Sequence, residues 1–314
     1  MVSTDKNQST AIVFILLGFS EYPEIEVPLF LLFLIIYVVS VLGNVGMIVI
    51  IRINPKLHTP MYFFLKHLSF VDFCYTTIAT PKLLENLIVE DRSVSIKLCV
   101  TQFHFGSTCV ITEMVMLAVM AYDRFVAICY PLIYTIVISP KRCALLVTVA
   151  YASGIISTSI LTYSIFILSF CETKIINNFL CEYSVFLDAS CSDIHFSETI
   201  LFVIANLSAF CTLIIILTSY LFIFITILKM HSASGRNKAF STCGSHMTAV
   251  TIFYGSIFFL YCIPSFQSSK LVVKVGSVFY TVVIPMLNPL IYSLRNKDVI
   301  ETFKKLMHFK VISQ

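Results

Sequence analysis

Pro28-Leu29-Phe30-Leu31-Leu32-Phe33-Leu34-Ile35-Ile36-Tyr37-Val38-Val39 contains no charge and no alternation. A strand of a membrane barrel alternates apolar with polar residues, and a surface helix keeps a polar stripe; this stretch is apolar on every face. Extended both ways it fills residues 27–51. That is long enough for a helix, which needs about 20 residues to cross the hydrocarbon of a bilayer. Six further apolar stretches follow, at 61–81, 98–121, 143–170, 199–228, 239–263 and 275–294. The sequence therefore predicts an all-α membrane protein, a seven-transmembrane helix bundle. It forms one domain over 27–294, with an amino-terminal tail at 1–26 and a short carboxyl-terminal tail at 295–314.

Composition agrees with that reading. The 314 residues are 58% hydrophobic and only 12% charged, whereas soluble domains carry about 25% charged residues. With 28 Phe and 15 Tyr against 9 Gly and 10 Pro, collagen-like, linker-like and disordered chains are excluded. No run of like charge points to nucleic acid as a partner.

Lys and Arg set the orientation. With the amino terminus outside and the carboxyl terminus inside, 13 of the 21 basic residues fall on the cytoplasmic side and 7 on the other, with Lys66 inside helix 2. Acids run the opposite way, and only Asp123, Asp298 and Glu301 fall inside. The early run Ala11-Ile12-Val13-Phe14-Ile15-Leu16-Leu17-Gly18-Phe19 follows no basic segment and precedes no small-residue cleavage site, so it does not read as a cleavable signal. Asn7-Gln8-Ser9 fits the glycosylation acceptor and lies in the outside tail. Asn206-Leu207-Ser208 has the same pattern inside a span, where membrane burial rules it out.

Of the 11 cysteines, Cys99, Cys171, Cys181 and Cys191 fall in or beside outside segments. Four thiols in an oxidising space make two bridges, with three pairings open. The remaining cysteines read as small buried hydrophobes, and no cysteine or histidine spacing supports a structural metal site.

Helix 3 serves as a ruler. Cys99 and Arg124 are 25 residues apart, about 37 Å along a helix, so they sit at opposite membrane faces. Glu113 lies about 16 Å from Arg124, near mid-membrane, and Asp72 reaches a similar depth on helix 2. Carboxylates at that depth are costly and mark function.

Met120-Ala121-Tyr122-Asp123-Arg124-Phe125-Val126-Ala127-Ile128-Cys129-Tyr130-Pro131-Leu132 closely resembles the signature after helix 3 of olfactory receptors, a branch of the rhodopsin-like G-protein-coupled receptors. Three further stretches resemble the same branch in order: Leu57-His58-Thr59-Pro60-Met61-Tyr62-Phe63-Phe64-Leu65, Lys238-Ala239-Phe240-Ser241-Thr242-Cys243-Gly244-Ser245-His246 and Pro285-Met286-Leu287-Asn288-Pro289-Leu290-Ile291-Tyr292-Ser293-Leu294-Arg295-Asn296. The details resemble the land-vertebrate class.

Asp123 beside Arg124 allows a local ion pair that a better partner for Arg124 would break, which is how a two-state switch is built. The bland alternative is an arginine that merely reaches the interface. The resemblance favours the switch and implies that Tyr220 and Tyr292 swing toward Arg124 on activation. Pro289, after Asn288, breaks the backbone ladder of helix 7 and gives a place to bend. The resemblance also selects the pairings Cys99 with Cys181 and Cys171 with Cys191, pinning the loop across a pocket mouth.

One to three turns below Cys99, helix 3 presents His104, Gly106, Ser107, Val110 and Ile111. The resemblance adds Leu201, Ile204, Ala205 and Ser208 on helix 5, Tyr254, Ile257, Phe258 and Tyr261 on helix 6, and Val278 and Thr281 on helix 7. Such a pocket is mostly apolar with a few hydroxyls and suits a small, volatile, largely hydrophobic odorant. Ordinary helix packing claims some of these positions, and His104 reads equally well as a helix-interface histidine. Apart from His104, no acid or base stands among them, which disfavours a charged agonist.

No cofactor is implied apart from a sodium ion. Asp72 and Glu113 reach the middle third from opposite sides, and two buried like charges repel unless a cation or a shared proton sits between them. Receptors of this superfamily bind sodium beside the helix-2 aspartate, and Glu113 resembles an olfactory variant of that site with Asn44 and Asn288 nearby. One shared proton without metal is the alternative.

The resemblance implies an odorant receptor of the plasma membrane, in olfactory cilia. Its partners are a heterotrimeric stimulatory G protein of olfactory type, raising cyclic AMP, and membrane lipid. The second reading is a same-fold receptor for a metabolite or lipid outside smell. A transporter would show an inverted repeat, a retinal protein a lysine deep in helix 7, and an enzyme a nucleophile–base constellation; none is visible. Helix 4 carries no Trp, as the chain has none, so its packing is left open.

Overall fold

The computed structural model describes residues 13–19, 23–171, 174–262, 270–294 and 299–302. Seven long helices run through it: α1 Pro23–Ile53, α2 Pro60–Asn86, α3 Ile96–Cys129, α4 Pro140–Ile167, α5 His195–Leu228, α6 Ala233–Cys262, and α7. The last is continuous from Lys270–Val278 through a π-helical stretch, Phe279–Val283, into Ile284–Leu294. Such a widened turn inserts an extra residue into the ladder and is frequent at functional sites. Pro289 follows it within α7.

Among the described residues, five segments are long and apolar enough to cross a membrane: Pro23–Ile53, Ile96–Cys129, Pro140–Ile167, His195–Leu228 and Lys274–Tyr292. α2 and α6 have the length but a more polar composition, with Lys66, Asp72, Lys82 and Glu85 on α2. The helices overrun the predicted spans. Thr59-Pro60 and Ser139-Pro140 place proline at the first helical position, and the Ser95 hydroxyl accepts from the Leu98 N–H at 3.3 Å to start α3. α1 is already helical at Pro23, within what the sequence assigns to the tail.

α3 is the central helix, packed on α2, α4 and α5, and 61% of its most apolar window is buried, against 11% for α1 and α5 at the periphery. Leu31, Ile35, Leu42, Leu207, Phe210 and Leu217 stay exposed on those outer helices, as lipid-facing side chains should. α4 closes on α3 through Gly154. A Cβ there would collide with the Thr112 hydroxyl and lie 2.8 Å from the Thr108 backbone oxygen. Nothing flexible lines that contact. Gly154→Ala should therefore lower the yield of folded protein recovered from the membrane, while Gly46→Ala, where an added Cβ meets nothing within 4 Å, should leave it unchanged. Equal yields for the two variants would discard the close α3–α4 approach.

One element was not legible in the sequence. Val13–Leu16, inside the run read only for signal character, forms strand β1. It pairs antiparallel with β2 Ser93–Ser95 and parallel with β3 Lys174–Ile176. Phe14 and Leu16 are fully buried, with Phe14 edge-on to Phe170 and Phe186. The strand is thus the middle of a small lid across one end of the bundle.

Candidate functional site

Both disulfides lie at the lid end. Cys99 joins Cys181, tying the top of α3 to the loop after β3, and Cys171 joins Cys191, closing that loop on itself. Gln102 secures the same loop: its amide nitrogen donates to Ile78 O at 3.2 Å, and its oxygen accepts from the Cys181 N–H at 3.2 Å. Tyr183, in the short helix Tyr183–Ala189, meets the Ser164 hydroxyl at 2.5 Å and donates to Ser197 O at 3.2 Å, so it joins the tops of α4 and α5. Lys274, at the outer end of α7, is buried and donates to Gly18 O at 2.6 Å beside β1.

Beneath the lid stand the candidate ligand positions. Gly106 is buried and faces the Tyr75 ring, whose hydroxyl donates to Thr281 at 3.3 Å. Val110, Tyr254 and Ile257 pack on the central core; Leu201 and Ile204 pack on the lid cluster. Ile111, Val278 and Thr281 are buried, and Ser107 and Ser208 are half-buried. His104 meets Thr162 on α4 at 2.9 Å, which gives it the helix-interface role. Tyr254 donates to Thr212 at 2.7 Å, linking α6 to α5. Two positions depart from the expectation: Ala205 is exposed and Phe258 is 62% exposed, because each falls on the outer stripe of its helix. The side chain of Tyr261 and the whole of Asn7 lie outside the described residues.

Sequence reasoning missed Tyr75 and Glu182. Glu182, directly after the bridged Cys181, is half-buried and accepts from the Tyr280 hydroxyl of α7 at 2.7 Å. Its only signal was adjacency to a cysteine whose place depends on the disulfide.

Midway along the bundle, Asp72 and Glu113 do meet. One amide nitrogen, that of Asn288, donates to Asp72 Oδ2 at 3.0 Å and to Glu113 Oε1 at 2.9 Å. Asp72 is fully buried, and its second oxygen has no hydrogen-bond partner. Asn44 is buried close by, but its amide donates to Ser40 O and to Pro285 O, binding α1 to α7, and its oxygen is also unpartnered. Gly43 lets Pro289 sit against α1, since a Cβ there would lie 3.1 Å from the proline ring.

At the far end the expected Asp123–Arg124 ion pair is absent: no carboxylate lies within 4.0 Å of the Arg124 guanidinium among the described residues. Neighbours in a helix point about 100° apart, so adjacency in sequence does not make a facing pair. Asp123 is buried and accepts instead from the Tyr134 hydroxyl at 2.8 Å. Burial and the Asp123 carboxylate hold the Tyr134 phenol above its ordinary range, so it remains a donor. Tyr220 is engaged too, with His246 Nδ1 at 2.7 Å, while His246 Nε2 meets Leu117 O at 3.1 Å. That histidine, fully buried, ties α6 to α3 and α5. Tyr292 is buried with its hydroxyl unpartnered.

The sequence model described as "Olfactory receptor" covers residues 33–310. The chain is 60% identical to Olfactory receptor 5D13 of Homo sapiens over 312 residues, 99% of each chain. It is 60% identical to Olfactory receptor 5D18 of Homo sapiens over 313 residues, 100% of each, and 58% identical to Olfactory receptor 1165 of Mus musculus over 305 residues, 97% of this chain and 96% of that one. The chain belongs to the olfactory receptor family and is a multi-pass membrane receptor, not an enzyme.

Proposed function

We propose that this receptor binds a small, mostly hydrophobic volatile odorant beneath the lid and activates a stimulatory, olfactory-type G protein through the Arg124 end, raising cyclic AMP. The amino terminus lies outside and the carboxyl terminus inside, the bundle of residues 27–294 acts as one domain in the plasma membrane of olfactory cilia, and Asn7 carries the glycan. The observation that carries this reading is the state of the two activation tyrosines. Tyr220 is held by His246, away from Arg124, and Tyr292 keeps a buried hydroxyl without a partner. A buried polar group left unsatisfied costs about 1–3 kcal/mol, so a rearrangement that gives it a partner is favoured once ligand binding opens the way.

Under the lid, the apolar positions supply most of the affinity and the hydroxyls orient the ligand. Tyr261 is proposed as one such hydroxyl. Tyr261→Phe should cost about 1 kcal/mol of ligand binding, or roughly five- to tenfold in potency. Unchanged potency across several polar odorants would remove the hydroxyl from the site. A cyclic AMP assay of the expressed receptor against a volatile panel and a metabolite panel tests the whole reading. Responses confined to metabolites would replace it with the non-olfactory alternative.

Sodium is proposed at Asp72 and Glu113. The residues fit a small cation, because a buried carboxylate oxygen of Asp72 and the Asn44 oxygen are both without partners. Bound there, sodium would neutralise the two carboxylates and hold α2, α3 and α7 together. Asn288 holds one oxygen of each carboxylate, and Pro289 places the bend of α7 next to that contact.

A further inference from the structure

We infer that the receptor carries a second binding site, for an anionic glycerophospholipid of the cytoplasmic leaflet, in a groove between α1, α2 and α4 at the Arg124 end. The inference rests on the proposed topology. The groove has a volume of about 810 Å³ and is separate from the positions beneath the lid.

Its lining is polarised. Arg52, His58 and Lys66 contribute cationic or protonatable groups, and no Asp or Glu lines it. Lys66 stands six residues into α2, so its Cα is about 9 Å from the start of the helix. No carboxylate lies within 4.0 Å of Lys66 or Arg52 among the described residues, and the Lys66 ammonium sits over the Phe63 ring, 5.3 Å from its centre. A ring face is a weak substitute for an anion. The ammonium's long stem lets it reach a phosphate at the membrane surface.

The rest of the groove is apolar and leads away from that charge. Ile48, Phe63 and Phe70 form its walls, and His67 closes against Tyr151 of α4 at 3.4 Å. Tyr151 therefore supplies the packing that the Trp-free helix left open. The flanks decide the class of occupant. Phe70, on the groove wall, is 47% exposed, and in a membrane-spanning bundle such an outward-facing apolar side chain meets acyl chains. A soluble protein would not meet that face. A lipid would, with its chains on the apolar walls and its phosphate between Lys66 and Arg52, where charge attraction at the inner leaflet adds to apolar contact.

The chain contains no Trp, so Phe70→Trp installs a single reporter at the groove. Purified full-length Phe70→Trp receptor is reconstituted with phosphatidylserine or phosphatidylcholine, each brominated on its acyl chains. Phosphatidylserine should quench Trp emission at severalfold lower mole fraction. Adding Lys66→Gln and Arg52→Gln should equalise the two lipids, whereas Lys229→Gln with Arg236→Gln, basic residues elsewhere on the same side, should preserve the preference. Equal quenching by both lipids in Phe70→Trp, or equal loss in both double variants, would overturn the site in favour of ordinary annular lipid. Soluble glycerophosphoserine should not relieve quenching; if it does, the groove takes a free phosphate and the lipid assignment falls. Where the added substitutions reduce expression, native mass spectrometry of the unmodified receptor gives the same decision: phosphatidylserine should be retained over phosphatidylcholine at equal supply, and equal retention overturns the site. An antibody against an amino-terminal tag on intact cells reads the topology separately.

Discussion

Arg124→Ala should abolish the odorant-evoked cyclic AMP response while surface expression stays at the level of the unmodified receptor. The side chain is half-buried and makes no ion pair among the described residues. On the proposed switch, Tyr220, now held by His246 at 2.7 Å, and Tyr292, whose buried hydroxyl has no partner, are the groups that would turn toward it. Loss of the guanidinium removes the donor to which the tyrosines would turn and the cation that a G protein would dock on, while leaving α3 packed through Leu117, Met120 and Ala121. Tyr134→Phe provides the contrasting variant. It frees Asp123 from its 2.8 Å hydrogen bond without removing Arg124, so it should shift basal activity and preserve the response. An intact odorant response in Arg124→Ala, measured by cyclic AMP accumulation alongside surface labelling, would sink the coupling assignment.

How far the sequence could be read depended on whether the decisive interaction was local. Most spans were legible because they are apolar over their own length, α2 and α6 being the more polar exceptions, and depth along α3 followed from residue count alone. Their ends were not, since helices such as α3, capped by Ser95, and α4, with Pro140 in its first turn, begin before the apolar run does. Strand β1 was invisible because its partners lie about 80 and 160 residues away, and four residues show no period until a sheet receives them. Asp123 misled for a related reason. Its neighbour in sequence was visible, whereas the hydroxyl it actually bonds comes from Tyr134, placed by the turn at Pro131–Ile133. The disulfide pairing came from family resemblance and not from spacing. Ala205 and Phe258, also carried over by resemblance, are exposed in the structure, because a motif position does not by itself fix which way a helical side chain faces. The meeting of Asp72 and Glu113 was legible from depth, but the bridging amide of Asn288 needed the fold.

That bridge leads to the second large effect. If sodium occupies the Asp72–Glu113 site and favours the inactive state, raising sodium at constant ionic strength should weaken agonist potency by about tenfold, the size of a coupling of ~1.4 kcal/mol between two sites. The direction follows from linkage: a ligand bound preferentially to one state opposes whatever favours the other. Asn288 offers one amide nitrogen to two carboxylates, at 3.0 and 2.9 Å, and a neutral amide does not cancel two negative charges. A cation or a proton must complete the site, since both carboxylates are buried and like charges so placed repel. Glu113→Gln leaves one carboxylate, keeps the shape of the side chain and retains an oxygen to accept from Asn288. The variant should still respond to odorant, with a potency that no longer follows sodium. Asp72→Asn should behave likewise, because the unpartnered oxygen that fits the ion belongs to Asp72. Potency in the unmodified receptor that ignores sodium, with choline as the replacing cation, would remove the metal and leave a shared proton as the group that lets the two carboxylates lie together.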